Sequence, residues 1–272
     1  MIQDIEPRAL YNHYDPEITA READTVLMIR GSEIMTDITD GLSFPKVRDL
    51  ADKSGLRYLF SVDEERYFLA PNGEVNGNYA YRDLRALREK DAEPQHRMFA
   101  AYTGKHLADW YRDTRFCGRC GAKTVHSATE RAMTCPACGY TAYPRIMPAV
   151  IVGVKNGSRL LLTRYRTGFA HNALIAGFTE IGETLEQTAA REVMEEAGVR
   201  VKNITYYKSQ PWGTANDILA GFYCEVDGDD TIRMDEGELK YAEWVEREDI
   251  VLQPNDYSLT NEMMKRFRDG KA

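Results

Sequence analysis

The chain has 272 residues, 43 % of them hydrophobic and 29 % charged, the proportions of a folded protein rather than a disordered one, and its length is comfortable for two domains. Asp and Glu outnumber Lys and Arg by 43 to 35, a formal net charge of −8, so the bulk field does not draw the chain to nucleic acid or to an anionic membrane. No apolar run approaches a membrane span, and the opening Met1-Ile2-Gln3-Asp4-Ile5-Glu6-Pro7-Arg8 lacks the basic start and apolar stretch of a secretion signal, so no membrane partner and a cytoplasmic location are expected.

Residues 1–94 alternate short apolar runs with turns. Runs at 25–29, 57–60 and 66–70, the last followed by Pro71-Asn72-Gly73, predict strands of a small, mostly β domain. Helices are expected over 79–90 and 95–112, the second leading into a cysteine-rich segment, so that 95–143 forms a helical lead-in and a metal-binding module. Cys117-Gly118-Arg119-Cys120 and Cys135-Pro136-Ala137-Cys138 are two CxxC pairs separated by fourteen residues. Four thiolates on two tight knuckles give the closed tetrahedral sphere of structural zinc, and Gly121 and Gly139 follow each knuckle where a turn needs an unhindered backbone. Two redox pairs are the alternative, but these would need a thioredoxin-like strand and helix that the flanking sequence does not provide. Zinc ribbons often contact nucleic acid or partner proteins; Lys123, Arg119 and Arg131 are too sparse to make a basic stripe, so that function is an open alternative which they do not support.

From residue 144 the pattern changes. Strands are predicted over 149–154 and 159–163, joined by Asn156-Gly157, a strong hairpin signal, with further strands at 218–226 and 241–245 and a closing helix at 257–268. Between them lies a helix with a capping box at Thr184 and Gln187 and a left-handed end at Gly198. Leu185, Ala189, Val193 and Ala197 give it an apolar stripe for packing on a sheet. Its glutamates occupy a different sector: Glu192 and Glu196 lie about 40° apart around the axis and Glu195 about 60° beyond Glu192, at roughly 100° per residue. Glu192 and Glu196 repel by about 0.2–0.5 kcal/mol with nothing between them, and a divalent cation converts that repulsion to attraction. Oxygen-only ligands suit Mg²⁺ or Mn²⁺ bridging to substrate phosphates, whereas a solvated acidic face is the bland alternative for an isolated E-x-x-E-E.

The whole array, G-x5-E-x7-R-E-U-x-E-E-x-G-U with U aliphatic, resembles the signature of the Nudix hydrolases, with Gly177, Glu183, Arg191, Glu192, Val193, Glu195, Glu196, Gly198 and Val199 at its fixed positions. The resemblance implies an α/β/α sandwich with a mixed sheet over 144–272 and metal-dependent hydrolysis of a nucleoside diphosphate linked to a further group. It implies metal binding by Glu192, Glu195, Glu196, Glu238 and Ala176, with Glu195 a ligand or a partner of one, and catalysis by Glu196 with Glu192 and Glu195. Arg191 and Glu183 would brace the loop against the helix, and Gly177 and Gly198 would permit the turns. Members differ over which glutamate is the base, and Glu196 is the expectation here.

The order of parts, with Ser209-Gln210-Pro211-Trp212 beyond the box, is similar to the NAD(H) pyrophosphatases. That similarity implies cleavage of NADH or NAD⁺ to AMP and nicotinamide mononucleotide, removal of NAD caps from RNA, and a homodimer. It implies substrate contacts at Phe178, Tyr143, Glu130, Gln210, Trp212, Asp217 and Thr260. One departure stands out: the subgroup continues SQPW with P-F-P-x-S, whereas this chain has Gly213-Thr214-Ala215-Asn216-Asp217. That change leaves ADP-ribose, diadenosine polyphosphates and other such diphosphates open as substrates. A non-catalytic sensor of NAD metabolites that binds nucleic acid is the rival class, disfavoured by the complete set of box glutamates.

Overall fold

The computed structural model describes residues 1–89, 93–166 and 171–272. They divide into two compact units, one of residues 2–145 with 212–216, the other of Met1, 146–211 and 217–272. Among the described residues no helix is long and apolar enough to cross a membrane.

The first unit holds β1 (Leu10–Tyr11), β2 (Thr25–Leu27), β3 (Ile29–Arg30), β4 (Glu33–Thr36), β5 (Arg57–Val62), β6 (Glu65–Leu69), β7 (Ala80–Asp83), α1 (Leu84–Glu89) and α2 (Gln95–Asp113). Its strands form a four-stranded sheet in the order β1-β5-β6-β2 and a three-stranded sheet β3-β4-β7. The expected helix over 79–90 is a correction: its first half pairs with β4 as a strand, Met35 opposite Tyr81, and Asp83 then accepts hydrogen bonds from the N–H groups of Arg85 and Ala86 to start α1. Tertiary pairing overrode local propensity there, and Lys90, the last residue of that expectation, lies outside the described residues. Helix α2 falls where the sequence places it and buries Met98, Phe99, Ala101, Tyr102 and Trp110. Beyond it, β8 (Val125–His126), β9 (Met133–Thr134) and β10 (Thr141–Ala142) form a small sheet β10-β9-β8 carrying the cysteine knuckles.

The second unit contains β11 (Met147–Asn156), β12 (Arg159–Tyr165), β13 (Ile175–Phe178), α3 (Leu185–Ala197), β14 (Val201–Trp212, its last residue grouped with the first unit), β15 (Asp217–Val226), β16 (Leu239–Glu246) and α4 (Leu259–Arg268). The sheet runs β14-β15-β11-β12-β16, with β13 paired to β11 beside that path. It is mixed: β11 is parallel to β15 but antiparallel to β12 and β13. Side chains alternate across it. Val150, Val152 and Val154 of β11 join Ala189, Val193 and Ala197 of α3 in one core, while Ile151 joins Leu259, Met263 and Phe267 of α4 in the other. Helices on both faces of a mixed sheet make an α/β/α sandwich. The β11–β12 hairpin pairs Asn156 with Arg159, so Gly157, at φ +62°, takes the first of two turn positions.

Candidate active site

Strand β13 runs into the loop before α3, and that loop is tied to the helix by one ion pair. Arg191 donates from Nε to Glu183 Oε1 at 2.6 Å and from Nη2 to Glu183 Oε2 at 3.0 Å. The same Nη2 reaches the carbonyl of Phe178 at 3.0 Å, and Nη1 reaches Glu192 at 2.7 Å and Glu195 at 2.8 Å. Glu183 also accepts from the Thr188 hydroxyl and the Glu180 N–H. Bonds from Arg191 first, then from Glu180, hold its carboxyl down at about 2. Thr184 and Gln187 exchange the two bonds of the capping box, and Gly198 ends α3 at φ +68°. Gly177 has a separate reason to be glycine: a Cβ there would stand 2.0 Å from Cδ of Glu192, so the bare backbone lets that carboxylate lie against β13.

Among the box carboxylates Glu195 is the most exposed, whereas Glu196 is 2 % exposed. Burial first, then the charges of Glu192 and Glu238, push Glu196 up to about 8, against hydrogen bonds from the Ala176 backbone and the Tyr165 hydroxyl. Burial also raises Glu192, with Glu195 and Glu238 adding to it and Arg191 opposing. Glu196 Oε2 is buried without a hydrogen-bond partner. A buried acid with an orphaned oxygen, pressed by two further carboxylates, is the electrostatic complement of a cation, and an all-oxygen donor set suits a hard divalent ion. These residues therefore fit a divalent metal. The sequence brings Glu192, Glu195 and Glu196 onto α3, and Glu238, just ahead of β16, reaches the same field through its charge. Their oxygens are nonetheless looser than the cysteines, which are the one group among the described residues with all ligand atoms within 4.8 Å of one another.

That second group is in the first unit. Cys117 Sγ lies 3.6 Å from Cys138 Sγ, and Cys120 Sγ 3.5 Å from Cys135 Sγ. Each knuckle closes identically: Gly121 N–H donates to the Cys117 carbonyl and Gly139 N–H to the Cys135 carbonyl, at φ +77° and +71°. All four thiols are unbridged, and a closed set of four sulfurs fits structural zinc.

The residues expected to touch substrate fall into separate groups. Phe178 is half-exposed at the end of β13, and Thr260 is half-buried at the start of α4. Asp217, 4 % exposed at the first position of β15, is pushed up to about 7 by burial, and its Oδ1 has no partner. Gln210 is fully buried; its Nε2 donates to the Tyr257 carbonyl and its Oε1 accepts from Leu259 N–H, so its amide fastens the start of α4. In the first unit Tyr143 is exposed and donates to Glu130 at 3.0 Å, while Trp212 packs edge-on to Tyr102 at 5.2 Å beneath the guanidinium of Arg88. Sequence reasoning missed Tyr165, whose hydroxyl faces Glu196 at 3.4 Å. A tyrosine ending a strand carries no signal of that role.

Comparison with known proteins agrees with this geometry. Residues 145–267 match the NUDIX domain, and residues 112–143 match the NADH pyrophosphatase zinc ribbon domain. Residues 145–267 are thus a Nudix domain, preceded by a ribbon similar to the zinc ribbon domain of NADH pyrophosphatases. Among curated relatives it is 44 % identical over 154 residues to the NAD-capped RNA hydrolase NudC of Shigella flexneri and 43 % identical to that of Escherichia coli O9:H4 (strain HS). The match covers 56 % of this chain and 59 % of each relative, so the chain spans under two thirds of their length. A NUDIX hydrolase from Nitrosomonas europaea shares the fold, with a TM-score of 0.51 and 23 % identity over 58 % of this chain and 92 % of that one.

Proposed function

We propose that this protein hydrolyses the diphosphate bond of NADH and NAD⁺, releasing AMP and nicotinamide mononucleotide, and removes NAD caps from RNA. The observation that carries the reading is Glu196, buried with an unpartnered oxygen in the field of the Glu192 and Glu238 charges. The ribbon match and the NudC relatives support the choice of dinucleotide. Glu192, Glu195, Glu196 and Glu238 would hold Mg²⁺ or Mn²⁺, with Ala176 beside them. When bound, such an ion neutralises diphosphate oxygens and stabilises the leaving phosphate.

The chain's own residues do the rest. Glu196 in its ionised form accepts the proton of the attacking water, as the P–O bond to the leaving phosphate breaks in line. Arg191 holds Glu192 and Glu195 in place and, through Glu183 and the Phe178 carbonyl, fixes the loop that presents them. The Phe178 ring would stack on a substrate base. Tyr143, Glu130, Trp212, Asp217 and Thr260 are the remaining proposed contacts; Gln210 is withdrawn from the expected set because its amide is buried and occupied at the start of α4. A cytoplasmic homodimer built from a β-rich N-terminal part, the ribbon and the Nudix domain belongs to the same reading.

The test is Glu196→Gln assayed with Mn²⁺ and NADH. Turnover should fall by about two orders of magnitude or more; turnover within a factor of two of the parent would defeat the assignment. A second reading, hydrolysis of ADP-ribose or a diadenosine polyphosphate, is favoured by the altered residues Gly213 to Asp217, and a buried carboxylate at 217 is the observation behind it. Product analysis over NADH, NAD⁺, ADP-ribose, diadenosine tetraphosphate and capped RNA, with each metal, separates the two.

A further inference from the structure

The zinc ribbon has a charge unlike that of the chain around it. Residues 112–145 contain Arg112, Arg115, Arg119, Lys123, Arg131 and Arg145 against Asp113 and Glu130, four net positive charges in a chain of −8. A tetrathiolate zinc centre, with two negative charges, would still leave the segment positive. Arg112 is spent on Asp109 and Asp113, and Arg131 donates to the Leu59 carbonyl. Arg115, Arg119, Lys123 and Arg145, by contrast, form no ion pair among the described residues.

Two of these cations stand against exposed rings instead of acids. The Arg115 guanidinium lies 6.0 Å from the Phe116 ring, and that of Arg119 lies 5.0 Å from Tyr140. Phe116 is 59 % exposed and Tyr140 36 % exposed. Lys123 is brought opposite Phe116 by an isolated antiparallel bridge. Phe116 precedes Cys117 and Tyr140 follows Gly139, so the close approach of Cys117 to Cys138 sets one ring beside each knuckle. A ring exposed to solvent offers a face to any unpaired base, and the flanking cations meet the phosphates between bases. Duplex or base-specific recognition would need a groove-reading helix or strand, which the ribbon's two-residue strands do not supply.

We propose that the ribbon, through Phe116, Tyr140, Arg115, Arg119 and Lys123, binds the single-stranded RNA body of a capped transcript. This rests on the decapping reading above and adds a site to it. Binding is sequence-tolerant, because stacking reads any base and the cations read only the backbone.

The experiment uses full-length, zinc-loaded protein and an uncapped, fluorescent single-stranded RNA of about twelve nucleotides. Phe116→Ala with Tyr140→Ala should weaken binding about tenfold or more. Arg115→Gln, Arg119→Gln and Lys123→Gln together should lower the slope of log affinity against log salt by about two. NADH turnover should be unchanged in both, and the charge variant, confined to exposed side chains, tests the site even where loss of two rings disturbs the ribbon. Unchanged affinity and salt slope overturn the proposal. So does an unchanged affinity with altered sedimentation, which makes the face a protein contact. Absence of NADH turnover in the parent would defeat the enzymatic reading, whereas turnover with an indifferent ribbon defeats the RNA site alone.

Discussion

Two buried acids, Glu196 and Asp217, both leave an oxygen unpartnered, yet their surroundings differ. Glu196 has other carboxylates and Tyr165 around it, whereas burial alone accounts for the rise of Asp217 to about 7. An unfolded aspartate titrates near about 3.9. The folded chain therefore keeps the Asp217 proton over a range in which the unfolded chain has lost it. Stability falls as pH rises from about 4 to about 7 and is level above that. Asp217→Asn removes the titration, so its gain in stability should be small at pH 5 and larger at pH 8, on the order of a few kcal/mol at most. A gain independent of pH in thermal melts would sink this account. Gly177→Ala sets a methyl on the Glu192 carboxylate and should cut metal-dependent turnover at least tenfold with folding retained; circular dichroism and NADH assays check both parts. The acids of α3 were legible because their spacing is a helical repeat. Tyr165 was not, since nothing local marks a hydroxyl that meets a glutamate 31 residues on.

Helix α3 shows where sequence reasoning succeeds among the elements. Its stripe, cap and stop signals agree, and Ala189, Val193 and Ala197 are all fully buried on the sheet. Thr184→Ala removes one half of the capping box and should cost about 1 kcal/mol, read from chemical denaturation; an unchanged midpoint would contradict the cap's contribution. Strand β14, by contrast, was missed. It heads the strand order of the sheet, so much of its surface faces solvent and its polar residues show no period of two. The altered segment that follows is a matter of backbone fit. A Cβ at Gly213 would lie 2.0 Å from the Tyr102 carbonyl oxygen on α2, so a side chain at 213 cannot be seated without moving the loop. Gly213→Ala should lower Tm by several degrees.

At the scale of the whole molecule, the sequence separated a β-rich beginning, a ribbon and a Nudix domain by their composition. It could not show that α2 and the ribbon cluster with the N-terminal strands, because such grouping depends on contacts distant along the chain. The ribbon carries the molecule's other structural prediction. Cys135, fully buried, should be indispensable to its metal: Cys135→Ser should remove the one zinc per chain and lower the melting temperature. Elemental analysis with a melt decides this, and full zinc content in the variant would refute a four-sulfur site.

The path of the chain has a consequence for how the protein is made. Residues 212–216 group with 2–145, although more than sixty residues of the Nudix unit are synthesised in between. On a ribosome the N-terminal part therefore waits for its last five residues until β11 to β14 have emerged. Genetic scission at residue 145 would leave each half with a gap or an unhoused strand. The two units do not coincide with contiguous coding segments.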